Sequence, residues 1–249
     1  MSNTTNLNKS CIFYTGFYSK KNHQYLLKQI NDFLKINIDS YFYIWNSNSS
    51  EIDELQNECK NVFLYDFDEY VKNKNLISLN ILDRKVSTDQ LYKLSPVVVN
   101  NLYGSNNRND LLQLEFFEYW SNRMSDQYYL VNKSKNIIEK TNYKCYIRSR
   151  ADITINHLIL VDKTGISVPF CHINGNKDHI VYGDKKSMLK YCDFYNNIRN
   201  IYPINNRVFN LHNQSSETLL RFYIEEHGVK TNFNISSDFL EFKNYYINK

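Results

Sequence analysis

The stretch CIFYTGFYSKKNHQYLLKQINDFLKINIDSYFYIWNSNSSEIDELQNECKNVFLY, residues 11–65, decides the fold class. It holds three short apolar runs, CIFYTG, YFYIWN and VFLY, each of strand length and rich in aromatic and β-branched residues. Between the first two lies NHQYLLKQINDFLKIN, where Leu26, Ile30, Phe33 and Leu34 recur at helical spacing and predict one apolar helix face. Between the second and third lies SSEIDELQNECKN, whose serine start and early acidic residues suit the positive end of a helix. The order strand, helix, strand, helix, strand favours parallel pairing through right-handed crossovers. The first strand is expected to end at Gly16.

Beyond this core, residues 76–107 sustain no period, and Gly104 and Asn106 mark turns. A helical pattern begins at Asp110 with Leu111, Leu114 and Phe117, and a second helix carries Tyr128 and Ile137. The chain then reaches YKCYIRSRADITIN, residues 143–156, a buried-looking strand that runs into Arg148, Arg150 and Asp152. A short strand GISVPF follows LILVDKT, then helices from roughly Lys185 to Tyr195 and Glu217 to His227, then a strand-like KTNFNI. No repeat or Pro/Gly/Ser linker divides the chain, so residues 1–249 are expected to form a single domain.

Composition narrows the function classes. A net charge of +4, with basic and acidic residues interspersed, gives little footprint for nucleic acid but is compatible with a small anionic ligand. MSNTTNLNKS lacks the apolar core of a signal peptide, and no apolar run approaches the roughly 18 residues of a membrane span, so a cytoplasmic setting is expected. The five cysteines (Cys11, Cys59, Cys145, Cys171, Cys192) are scattered without a C-x-x-C pair, which argues against a disulfide framework and a zinc site. The sequence contains no H-E-x-x-H, G-x-S-x-G, G-x-G-x-x-G or G-K-[ST], so metalloprotease, serine hydrolase, dinucleotide and P-loop readings lack their motifs.

The ionic strand end is the main candidate site. Arg148 and Arg150 share a side of the strand, and Asp152 has two readings. It forms an internal ion pair, or it holds a cation on a diphosphate that the arginines neutralise. A second carboxylate pair, Asp66 and Asp68 in VFLYDFDEYV, has D-x-D spacing; the preferred reading is an acidic turn that caps a helix through Asp68 or Glu69. In SVPFCHINGNKDHIVYGDKKSMLKYCDFY, Tyr182 and Gly183 read as a turn, and Met188, Tyr191 and Tyr195 as a packed helical stripe. Asp178, on a polar loop, suits hydrogen bonding to a sugar or general-base work, against the plainer role of a loop brace.

Taken in order, CIFYTGFYS, DSYFYIWN, YKCYIRSRADI, VPFCHINGNKDHIVYGDKKSMLKYCDFY and SSETLLRFYIEEHGV resemble a family of GT-A-like glycosyltransferases of glycan and polysaccharide biosynthesis loci, in which an I-R-x-R-x-D strand replaces the usual D-x-D. The resemblance covers nearly the whole chain. It implies a GT-A-like, Rossmann-like, mostly parallel sheet flanked by helices, and transfer of a sugar from a nucleoside-diphosphate-sugar donor to a glycan or lipid-linked acceptor. It implies further that Asp152 is the metal or donor-diphosphate residue, with manganese or magnesium as the divalent cation, and that Arg148 and Arg150 flank it. Thr15 and Gly16 would lie near the nucleotide base, and Asp178, Tyr182 and Gly183 at the acceptor side. Arg150 stands where a D-x-D has its first carboxylate, and TGFYSK lacks the arginine common after that glycine, which Lys20 or Lys21 would replace. The alternative is a catalytically silent carbohydrate-binding protein on the same scaffold, its aromatic surplus stacking on sugars.

Overall fold

The computed structural model describes residues 9–18, 20–47, 49–73, 125–155, 164–169, 179–201, 216–235 and 240–241. Strand β1 (Ser10–Phe17) leads through a 3-10 turn (Lys20–Asn22) into α1 (His23–Lys35), followed by β2 (Ile38–Trp45), α2 (Ser50–Glu58), β3 (Val62–Tyr65) and α3 (Phe67–Asn73). After α4 (residues 125–140) come β4 (Cys145–Arg150), β5 (Thr154–Ile155), β6 (Ile166–Pro169) and β7 (Ile180–Gly183). The chain continues through α5 (Lys185–Cys192), α6 (Phe194–Ile201), α7 (Ser216–Glu226), β8 (Thr231–Ile235) and β9 (Leu240–Glu241).

Seven strands form one mostly parallel sheet in the order β3-β2-β1-β4-β7-β6-β8, in which β7 runs antiparallel to both neighbours; β5 and β9 pair separately. The protein is therefore α/β with helices on both sheet faces, as the strand and helix alternation of residues 11–65 requires. One face carries Phe13, Tyr43, Trp45, Tyr146 and Val181 and packs on α4, α5, α6 and α7 through Tyr128, Val131, Met188, Phe194 and Tyr223. The other carries Ile12, Tyr14, Phe42, Ile44 and Ile147 and packs on α1 and α2 through Leu26, Ile30, Phe33, Ile52 and Leu55. Burial on both faces explains why the central strands read as continuous apolar runs rather than alternating ones.

Several local expectations change. In α1 the buried stripe is His23, Leu26, Ile30 and Phe33, whereas Leu34 is 59% exposed. It sits one position past the stripe, where the helix ends and Asn37 (φ 61°) turns the chain into β2 in the left-handed conformation that asparagine tolerates. β1 continues past Gly16 to Phe17, paired with Trp45. The helix expected from Lys185 to Tyr195 divides, because Asp193 closes α5 through its backbone N–H and opens α6 by accepting from Asn196. Tyr182 and Gly183 are the last residues of β7 instead of a turn. Residues 76–107, the helix carrying Leu111, Leu114 and Phe117, Cys171 and Asp178 lie outside the described residues. The remaining cysteines are free thiols. Among the described residues no helix is long and apolar enough to cross a membrane.

Candidate functional site

The strand order sets the place to look. β2 and β3 extend the sheet to one side of β1, and β4 joins it on the other, so the order reverses between β1 and β4. In open α/β sheets, ligands bind in the crevice beyond the carboxyl ends of the strands at such a reversal, because successive loops diverge there to opposite faces. The carboxyl ends of these two strands carry Thr15, Gly16 and Arg150, and Thr15 lies opposite Arg150 in the parallel register. The Ala151 N–H donates to the Thr15 carbonyl at 3.0 Å, which holds the outgoing chain against β1.

Arg148 and Arg150 point to the same face of β4, as the alternation predicts, yet their surroundings differ. Arg148 is buried, only 1% exposed, and its Nε donates to Thr15 Oγ1 at 3.0 Å. The nearby Cys192 is no anionic counterpart. Burial pushes its thiol up to about 12, against the lowering effects of the Ser134 hydrogen bond and the Arg148 charge. Arg150 reaches the edge and grips Asp152 side-on, Nε to Oδ1 at 2.8 Å and a terminal guanidinium nitrogen to Oδ2 at 2.5 Å. Both side chains are about a third exposed, at 36% and 35%. The internal ion pair is therefore the arrangement present, with Arg150 as the partner. Asp152 is also held by its backbone: Asn22 Nδ2 donates to its carbonyl at 2.7 Å. Farther along, Gln29 Nε2 donates to the Ile155 carbonyl at 2.7 Å and itself accepts from the Tyr14 hydroxyl at 3.0 Å.

Gly16 adopts φ 115°, a conformation that side chains strain to reach, and the space beside its Cα is open. Phe17 follows on the same side as Thr15, 59% exposed, with its ring against Phe67 (5.3 Å between centroids) and Trp45 (6.2 Å). Trp45 in turn stacks on Tyr129 of α4 at 5.6 Å, so an aromatic group occupies this edge beside the polar one. Neither the exposed Phe17 nor that group was foreseen as a feature of the site; the richness in aromatic residues was the available signal.

Thr15, Gly16, Arg148, Arg150 and Asp152 thus come together, while Tyr182 and Gly183 do not join them. β7 runs antiparallel, so its start lies beside the end of β4, where the Arg150 N–H donates to the His179 carbonyl at 3.1 Å. Gly183 pairs with Tyr146, four residues before Arg150, or about 13 Å along the strand at roughly 3.3 Å per residue. Its small size has a packing reason instead, since a Cβ there would lie 2.4 Å from the Gly165 carbonyl oxygen. Tyr182 is buried against Ile147 on the α1 face.

The Asp66 and Asp68 turn is a helix start, as preferred, but the capping residue is Asp66, whose Oδ1 accepts from the Glu69 N–H at 2.8 Å. For a divalent cation the described residues fit poorly. Both oxygens of Asp152 are engaged by Arg150, and among the described residues no three His, Cys, Asp or Glu side chains group to hold a metal. The chemistry this edge supplies is that of one partly exposed guanidinium, Arg150, beside the open backbone of Gly16 and above the buried Arg148 and Thr15, and a guanidinium suits an anionic ligand.

These features define an α/β protein with two arginines, one buried and one at the edge, at the reversal point of its sheet. No protein-family model matches the sequence, and no curated protein matches it.

Proposed function

We propose that the protein is a glycosyltransferase that moves a sugar from a nucleoside-diphosphate-sugar to a glycan or lipid-linked acceptor, on a GT-A-like scaffold. The observation that carries this reading is the convergence of Thr15, Arg148 and Arg150 at the carboxyl ends of β1 and β4, where the strand order reverses. Arg150 is the contact group for the diphosphate, because its side chain reaches the edge. Arg148 acts from below, orienting the Thr15 hydroxyl and adding positive potential to the crevice floor. As the donor's glycosidic bond breaks, negative charge grows on the leaving diphosphate, and a fixed guanidinium stabilises that charge more than it stabilises the intact donor. Asp152 orients Arg150 through the side-on pair and releases part of it to the phosphates on binding. Asp178 is assigned to the acceptor side on the resemblance, and to general-base work on its polar loop.

A carbohydrate-binding protein without catalysis is the second reading. The mutual neutralisation of Arg150 and Asp152 and the exposed Phe17 ring at the same edge favour it. Thermal-shift measurements with UDP-, GDP- and CMP-sugars, with and without manganese, separate the two, because a ligand that binds only the folded state raises the melting midpoint by mass action. Stabilisation by one donor, with slow donor hydrolysis in the absence of acceptor, supports the transferase. Glycan binding with no response to any donor supports the binding protein.

A further inference from the structure

A second polar arrangement lies at the same sheet edge on the α1 face. Tyr18 is the first residue after β1, His23 opens α1, and Glu54 lies on α2. The His23 ring is buried and bridges the other two, with Nδ1 2.7 Å from the Tyr18 hydroxyl and Nε2 2.8 Å from Glu54 Oε2. An ionised carboxylate can only accept, so Nε2 carries the proton toward Glu54, and in the neutral ring Nδ1 accepts from Tyr18. With the ring in that neutral form the three groups make a chain with one direction, Tyr18 to His23 to Glu54. Burial, then the charges of Glu54 and Glu51, push the Tyr18 hydroxyl up, which keeps its proton in place as the donor.

This chain ties the turn between β1 and α1 to α2, and the Lys20 to Glu51 ion pair at 3.2 Å adds a second tie. The same turn reaches the chain that leaves β4, where Asn22 donates to the Asp152 carbonyl. The Tyr18 ring is set edge-on to Phe42 and to His23, with centroids 6.4 and 5.8 Å apart. Holding a turn needs only apolar packing. A buried imidazole using both nitrogens carries a desolvation cost that packing would avoid, and what it adds is a fixed geometry.

We propose that Glu54, His23 and Tyr18 form a positioning chain for the donor crevice, setting the turn that follows Gly16 and, through Asn22, the backbone of Asp152. This rests on the donor-site reading above. The test is calorimetric titration of the full chain with UDP and with GDP, well below the melting midpoint, for wild type, Tyr18→Phe, His23→Gln and the double variant. Glu54→Gln, at a half-exposed side chain, replaces His23→Gln should that variant not fold. Nitrogen-15 spectra of the histidine rings report the His23 tautomer independently of any ligand. We expect wild type to bind one nucleotide with His23 protonated at Nε2. Each single variant should weaken that nucleotide by about 3–10-fold, the scale of one hydrogen bond, and the double variant no further, since both remove one chain. Wild-type affinity in folded single variants, or losses that simply add, would overturn the positioning role while leaving the donor site standing. Failure of wild type to bind either nucleotide, together with no stabilisation by any of the UDP-, GDP- and CMP-sugars, would remove the donor-site reading and this inference together.

Discussion

Replacing Asp152 by Asn tests whether the ion pair at the sheet edge serves the fold or the ligand. The pair is side-on but about a third exposed on both sides, at 36% and 35%, so solvent screens it. Its contribution belongs at the upper end of the surface range, about 0.5–1 kcal/mol. The amide keeps one accepting oxygen for Arg150, and in a chain of this length 1 kcal/mol shifts the melting midpoint by about 2–4 °C. Asp152→Asn should therefore melt within about 3 °C of wild type. Activity should respond on a different scale. If Arg150 meets the diphosphate in the geometry that Asp152 sets, losing that charge-assisted contact costs about 1.5–3 kcal/mol, or about 10- to 150-fold in donor turnover. Arg150→Lys should behave alike, since an ammonium cannot make the fork to carboxylate or phosphate. Nucleotide release from the stabilising donor, followed alongside melting curves, reads both quantities. Wild-type turnover in both variants would refute the assignment of this edge to the donor. A fall in melting midpoint far beyond the stated range with normal turnover would make the pair a structural brace.

Arg148→Lys should mainly cost stability, about 1–3 kcal/mol in urea unfolding, because it removes the Nε donor to Thr15 and leaves a buried ammonium. Replacing Asp66 and Asp68 together by Ala should cost about 1 kcal/mol through the lost cap and leave donor affinity unchanged; a large affinity loss with normal melting would move the donor site to that turn. Asp184 caps α5 and also accepts from the Gly165 N–H at 2.7 Å; burial raises its carboxyl, but the hydrogen bonds from Ser187, Gly165 and Lys186 outweigh that and hold it below the usual range. Its stabilisation is thus present above the unfolded carboxylate pKa of about 3.9 and lost as pH falls through the lower folded value. Asp184→Ala should be destabilised near neutrality and lose less additional stability than wild type below about pH 4, as followed by urea midpoints against pH. Gly183→Ala should cost at least about 1–3 kcal/mol in urea unfolding, because the new methyl meets the backbone of Gly165 and Ile166, which has no soft atom to give way.

The elements that could be read along the chain are those whose cause is local. Leu26, Ile30 and Phe33 recur at the helical period, and the helix forms wherever that stripe finds a face to cover. Ser10–Phe17, Ile38–Trp45 and Val62–Tyr65 are apolar runs, and their alternation with helices favours parallel pairing. The aspartate before the Lys185 helix, three residues ahead of Ser187, was a local cap signal that sequence reasoning passed over. Arg148, Arg150 and Asp152 stood out because charge at the end of a buried strand demands a partner.

Which partner each would take depended on contacts between distant residues. Arg148 meets Thr15, 133 positions away, and so is buried between the strand ends, whereas Arg150, two residues on, reaches the edge and closes on Asp152. The His23 bridge joins α1 to Glu54, 31 positions on, and only its other partner, Tyr18, lies near it in sequence. Tyr182 and Gly183, close to the ionic strand in the motif order, are carried to its far end because β7 runs antiparallel. The sequence by itself determined periodicity, apolar character and the presence of charge, since these follow from each residue and its near neighbours. Strand order, strand direction and side-chain partners were decided only by the tertiary structure, because ladder bonds join backbone groups common to every residue, and only packing of whole faces selects among the possible pairings.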